Sequence, residues 1–145
     1  MSGLTILPFA PEDAMDLMKS ARETTMARYL GNIDLSVVAT GGPCSTVFWH
    51  GQPIAASGLI EMHRHRAAAW LLMKTMPFAA LVGLIRAMRG ALNCCPYRRV
   101  EAHVDLGFAP GHRMAALLGF KIETRCKPHW FPHGGATEYV RLRPE

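Results

Sequence analysis

The sequence predicts a single α/β domain with a mixed sheet, and three observations point there. Residues 97–122, YRRVEAHVDLGFAPGHRMAALLGFKI, read as strand, short helix, strand. Three apolar runs between residues 45 and 73 are separated only by short turns, as in a β-meander. A helical run over 78–92 divides that meander from the strands that follow, and such alternation marks an α/β protein. A chain of 145 residues suits one domain around one core.

Each element has its own signal. Leu4, Ile6 and Phe9 suggest a first strand, ended by Pro8 and Pro11. Glu12 and Asp13 suit a helix N-terminus, where the dipole favours carboxylates, and Ala14, Leu17, Met18 and Ala21 give that helix an apolar face. A second short helix runs through Met26 and Leu30. Gly31, Asn32, Gly41, Gly42 and Pro43 mark residues 31–43 as loops. Residues 45–50 and 54–63 are strands around a Gly51-Gln52 turn. After a turn at 64–66, residues 67–73 are apolar on both faces, which suits a sheet centre covered on both sides.

Thr75 is placed to cap the next helix, with Pro77 in its first turn. Phe78, Leu81, Val82, Ile85, Met88 and Leu92 then recur at helical spacing. Lys74 and Pro77 inside the apolar run 67–85 argue for a buried strand and helix rather than a membrane span. Val100, Ala102 and Val104 alternate with Glu101, His103 and Asp105, the period of a strand. Pro110 opens the following helix. Gly119 closes it as a C′ residue, with Phe120 packing back over the last turn. A strand from Ile122 to about Lys127, a loop KPHWFPHGG and a strand over 137–142 complete the chain.

Charge and cysteines narrow the function classes. The net charge of +5 is spread over pairs: Arg64 and Arg66, Arg86 and Arg89, Arg98 and Arg99, Arg141 and Arg143. Such pairs suit nucleic acid, an anionic cofactor, an acidic protein face or plain solvent. No aromatic-interleaved basic stripe marks a nucleic-acid motif. Cys44, Cys94, Cys95 and Cys126 form no secretory framework, and MSGLTILPF lacks the basic and apolar regions of a signal peptide, so a reduced intracellular protein is expected.

The segment 97–122 carries a resemblance. A core strand, a helix, Leu118-Gly119-Phe120 and a further strand resemble the C-terminal half of the GNAT-type N-acyltransferase fold. Residues 45–75 look like that fold's central antiparallel strands and 77–92 like its central helix. The resemblance implies a GNAT-like mixed, mostly antiparallel sheet flanked by helices, as one domain over 1–145. It is closest to a GNAT-like branch of short-tailed phages that includes internal virion proteins. Those share a Trp before the central helix, here Trp70, and a His early in the last helix, here His112.

The chemistry the resemblance implies is only partly present. An acetyl-CoA site is implied at the turn before the central helix, where a Gly-rich loop presents N–H groups to the pyrophosphate. Here the turn is Lys74-Thr75-Met76-Pro77-Phe78-Ala79, without glycine, and Pro77 removes a donor. Lys74, Thr75, Met76 and Phe78 are the cofactor-binding candidates. The implied Asn and Tyr of the last helix fall on Phe108 and Ala115, neither of which donates a proton. His112 is the candidate replacement acid. Glu61, His63 and His103 are candidate bases, with Glu61 and His63 placed on one strand face by alternation. Tyr97 and Tyr139 are further acids if the fold brings them to the site.

Other constellations are weaker. Cys126, His129 and His133, with Cys94-Cys95, have loose ligand spacing interrupted by Pro128 and Pro132, and no CxxC pair exists, so no metal site is expected. Trp130 and Phe131 in their Pro/Gly loop are candidate interaction residues. The expected function is therefore a non-catalytic, virion-associated interaction protein on a GNAT-like scaffold. Its partners would be other proteins of a viral assembly in an oligomer, its location the virion or host cytoplasm, with no cofactor. The alternative is an acetyl-CoA-dependent N-acetyltransferase acting on an amine of a protein or small molecule.

Overall fold

The meander read in residues 45–73 is the spine of the fold. The computed structural model describes residues 3–20 and 35–143. Its strands are β1 (Leu4–Pro8), β2 (Cys44–Trp49), β3 (Gln52–His63), β4 (Arg66–Met73), β5 (Arg99–Asp105), β6 (Lys121–Phe131) and β7 (Gly134–Leu142). Its described helices are α1 (Pro11–Ser20), α2 (Leu35–Thr40), α3 (Phe78–Cys94) and α4 (Ala109–Leu117). The strands form one sheet in the order β1-β2-β3-β4-β5-β7-β6. Every neighbouring pair is antiparallel except β4 with β5.

Turn chemistry fixes the register of the meander. Trp49 pairs with Gln52, so His50 and Gly51 alone turn the chain. Both have positive φ, 48° and 81°, which is the twist a two-residue hairpin needs. Pro8 is tolerated because β1 is an edge strand, where one face of the ladder needs no donor. β4 takes the central place its two apolar faces demand. On one face, Trp70 and Leu72 pack with Ala56 of β3 and with Ala14 and Leu17 of α1. On the other, Ala80 and Leu84 of α3 meet Val47, Ile54 and Ala55. α4 lays Met114 and Ala115 over Val100 of β5 and Tyr139 of β7.

The end of α4 follows the sequence closely. Phe120 N–H bonds to the Ala115 carbonyl (3.0 Å) and Gly119 N–H to the Ala116 carbonyl (3.1 Å). This is the paired closure of a Schellman motif, with Gly119 at φ +91° and Phe120 buried behind it. The start agrees too, with Pro110 inside the first turn.

Three expectations need correction. Residues 31–43 are not all loop, since Leu35–Thr40 is helical and Val38 is buried beside Leu17 and Trp70. Gly41, Gly42 and Pro43 fall after this helix, where Gly41 and Pro43 carbonyls accept from Glu61 and Leu59 N–H groups, while Gly31 and Asn32 lie outside the described residues. KPHWFPHGG is not a loop either: β6 runs through it to Phe131 and turns at Pro132-His133. An edge strand tolerates Pro128, and three register shifts along β6 absorb the irregularity. Thr75 does not cap α3; the N-cap is Pro77, with no side-chain hydrogen bond. The expected helix through Met26 and Leu30 lies outside the described residues.

Gly119→Ala is expected to destabilise the domain by about 1 kcal/mol, because a Cβ there takes a left-handed conformation. It would also sit 3.3 Å from the Arg141 guanidinium Nε. Urea unfolding of the variant checks this, and an unchanged midpoint would contradict it.

Candidate active site

The sheet opens where its parallel pair parts. β4 and β5 pair only over Arg66–Ala68 against Arg99–Glu101. Beyond that seam β4 continues to Met73 and β5 to Asp105 with no ladder between them. A cavity of about 720 Å³ lies between the separated strands. Its apolar lining includes Ala69, Leu71 and Met73 from β4 and Ala102 and Val104 from β5. Met88 and Leu92 of α3 and Met114 and Leu118 from the α4 end close the same side.

Lys74 and Thr75 line the cavity where β4 ends, and α3 starts just beyond. Lys74 N–H bonds to the Ile54 carbonyl at 3.1 Å, which holds the strand end in place. The first helical bond runs from Leu81 N–H to the Pro77 carbonyl (3.0 Å). The N–H groups of Phe78, Ala79 and Ala80 therefore have no intrahelical acceptor. Pro77 precedes these donors and removes none of them. Met76 packs with the cluster around Ala80 and Leu84, while the Phe78 ring is 79% exposed.

On the β5 wall stands His103, whose side chain is 13% exposed. The Lys127 ammonium lies 3.3 Å from its Nε2 and 3.2 Å from the buried Glu138 carboxylate. Burial first, and the Lys127 charge second, push the imidazole below its ordinary pKa. Both effects favour the neutral form of His103. Trp130 stacks on it at 4.1 Å and 15°, with the ammonium 4.4 Å from the indole centroid. Asp105, at the strand's end, lines the cavity and pairs with His133 at 2.6 Å.

Below the cavity, Glu101 clamps the seam. It is 4% exposed and accepts from Arg66 Nε (2.7 Å) and Nη2 (2.9 Å) and from Arg99 Nε (2.6 Å). Arg99 also holds Glu123 through both terminal nitrogens. Arg66 first, then Arg99, draws the Glu101 pKa from 4.5 down to about 2 against the opposing effect of burial.

The remaining candidates are dispersed. Glu61 accepts from the Tyr97 hydroxyl at 2.8 Å, which together with burial raises the Tyr97 pKa. A register shift falls between Glu61 and His63, so alternation does not carry across; His63 Nδ1 accepts from His65 N–H instead. His112 accepts from the Tyr139 hydroxyl at Nδ1 (2.7 Å), and its Nε2–H faces the carbonyls of Asp105 (2.9 Å) and Leu106 (3.2 Å). Both ring nitrogens serve the fold. None of Glu61, His63 and His112 lines the cavity, whereas Phe108 and Ala115 do. Phe131 is buried and stacks on His133, so of the two aromatics only Trp130 is half-exposed. No three described His, Cys, Asp or Glu residues gather as metal ligands would. No described helix is long and apolar enough to cross a membrane.

Solved structures share this fold. The chain superimposes on an acetyl transferase from Salmonella typhimurium that modifies the N-terminal serine of a 50S ribosomal subunit protein. The TM-score is 0.72 at 9% identity, covering 99% of this chain and 97% of that one. A GNAT-family acetyltransferase from Bacillus anthracis gives 0.70 at 11% identity, covering 97% and 95%. Spermidine N-acetyltransferase from Vibrio cholerae in complex with CoA and spermine gives 0.70 at 13%, covering 98% and 96%. This is the GNAT fold. No family model and no curated protein matches the sequence. The glycine-free turn and the apolar Phe108 and Ala115 stand where the sequence resemblance implies a glycine-rich loop, Asn and Tyr.

Glu101 makes stability acid-sensitive. Its folded pKa lies below the ordinary 4.5, so the clamp is fully effective above about 4.5 and is lost as pH falls towards 2. Unfolding midpoints should drop across that window, and Glu101→Gln should flatten the drop. An unchanged slope in the variant would remove Glu101 from the account.

Proposed function

We propose that this chain is an acyl-CoA-dependent N-acyltransferase acting on an amine. The parting of β4 from β5 carries the proposal, because it leaves two facing strand edges without ladder bonds beside an open helix N-terminus. An extended, amide-containing chain such as pantetheine satisfies such edges. The N–H groups of Phe78, Ala79 and Ala80, the α3 dipole and Lys74 suit a pyrophosphate even without glycine. Acetyl-CoA would supply the activated acyl thioester. The acetyltransferase relatives in structure support this reading over the non-catalytic one.

His103 is the group for the amine's proton. It is the described histidine on the cavity wall, and burial favours its neutral form. On taking a proton at Nε2, the ring ceases to accept from Lys127 and can donate to Glu138, 3.5 Å away. Trp130 fixes the ring plane. A water can bridge to an amine that does not reach the ring. Thr75 flanks the same mouth. Glu61, His63 and His112 have no catalytic part in this reading.

A second reading rests on the glycine-free turn and on Phe108 and Ala115, where the resemblance implies Asn and Tyr. In it the scaffold serves contacts alone, within a viral assembly as the resemblance implies. Calorimetry separates the two. Micromolar binding of acetyl-CoA, weakened in Lys74→Ala, is expected; no binding at millimolar acetyl-CoA would leave the second reading.

Given turnover on an amine panel, His103→Gln should lower kcat about 100-fold. The acid limb of the rate should lie below the ordinary imidazole range. Lys127→Met should move it upward, because the cation that disfavours protonation is gone while Glu138 remains. A limb unmoved by either change would exclude His103.

A further inference from the structure

The cavity continues past the point where β4 and β5 part. Lys74, His103 and Asp105, the charged and imidazole members of its described lining, all stand on the open side of the seam. In the other direction the lining runs between α3 and α4, with Met88 and Leu92 on one side and Met114, Ala115, Leu118 and Phe120 on the other. The last five belong to the same buried cluster as Ala67 and Val100, which pair inside the seam. This lobe thus lies over the part of the sheet where β4 and β5 are already bonded to each other. We propose that it holds the hydrocarbon of a medium-chain acyl group, so that the donor is a hexanoyl or octanoyl thioester in preference to acetyl. The inference rests on the acyl-transfer reading and names the donor class for it.

Three observations carry it. The first is unfilled space. Leu92, Met114, Ala115, Leu118 and Phe120 keep between 5% and 8% exposure, whereas Ala80 and Leu84, in the contact of α3 with β2 and β3, keep 0%. An apolar space of this kind stays dry and accepts hydrocarbon. The second is chemistry. The hydroxyls of the cluster, on Tyr97 and Tyr139, are already bonded to Glu61 and His112 and call for no polar ligand group. The third is length. From Met88 to Cys94, both in the lining, α3 advances about 9 Å, which an extended hexanoyl or octanoyl chain spans and an acetyl group does not.

The order of groups along such a donor matches the order along the cavity. Phosphates suit Lys74 and the α3 start, amides suit the open strand edges, and the chain past the thioester meets the lobe. In the transfer, the amine nitrogen bonds to the acyl carbon as the carbon–sulfur bond breaks and its electron pair leaves on sulfur. The proton that His103 takes from nitrogen returns through solvent to that sulfur, giving an amide and the CoA thiol.

The test is calorimetry and turnover of the full chain with acetyl-, hexanoyl- and octanoyl-CoA. Each fully buried methylene tightens binding about fourfold, so octanoyl-CoA should bind about 30-fold tighter than acetyl-CoA or better, with kcat/KM on an amine following. Ala115→Leu narrows the lobe and should bring that ratio down to about threefold. Leu92→Ala widens it and should move the preferred chain to decanoyl. Thermal melts verify that both variants fold, and opposite shifts from the two are not what simple destabilisation produces. A preference unmoved by either change would mean adsorption of the chain elsewhere and overturn the lobe. Acetyl-CoA bound as tightly as octanoyl-CoA, with turnover, would overturn the inference and leave the acyltransferase reading standing. Absence of binding by all three donors would overturn both.

Discussion

The short parallel seam between β4 and β5, clamped by Glu101, is the constraint on which the rest of the structure depends. A carboxylate buried to this degree is tolerable only with close cations. Arg66 reaches it across the seam and Arg99 along its own strand. The clamp sits where the last paired residues, Ala68 and Glu101, meet. Pairing on one side of that point and parting on the other divide the sheet into a closed end and an open end. The open end becomes the cavity because α3 and α4 lay apolar residues against it instead of filling it.

The two ends therefore differ in character. At the open end, backbone edges and a helix N-terminus face apolar walls, and the His103 imidazole, its pKa lowered by burial, stands among the lining residues. At the closed end, three strand termini meet and their arginines project around a cleft. The same Glu101 serves both, by stopping the separation of the strands and by holding Arg66 and Arg99 in place.

Much of the fold was legible because it rests on local rules. Gly119 announced the end of α4, Pro110 its start, and the apolar run at 67–73 the central strand. What misled were local signals overridden by neighbours. Glycines near α2 pointed to a loop, yet Val38 gains enough burial beside Trp70 to hold a short helix. Prolines at 128 and 132 pointed to a loop, yet an edge strand with bulges accommodates the first and a hairpin turn the second. At the turn 74–77, Pro77 lacks its own N–H, but its position before the helix leaves the N–H groups of Phe78, Ala79 and Ala80 without intrahelical acceptors.

The site was less legible, and the reason is physical. A histidine's role depends on what its two nitrogens touch, and those partners come from distant strands. His112 looked available at a helix start; Tyr139 of β7 and the Asp105 carbonyl of β5 occupy it. Glu61 and His63 looked paired by alternation, but alternation fails at a bulge, and Tyr97 captures the carboxylate. His103 lay within the strand pattern as one candidate among three. Only the pairing of β5 with β7, and of β7 with β6, brings Glu138, Lys127 and Trp130 around it. The irregular register of β6 decides which of its residues reach that histidine, and it has no signature in periodicity. A histidine whose pKa is lowered by burial and by a lysine 24 positions away can be recognised only once the sheet order is known.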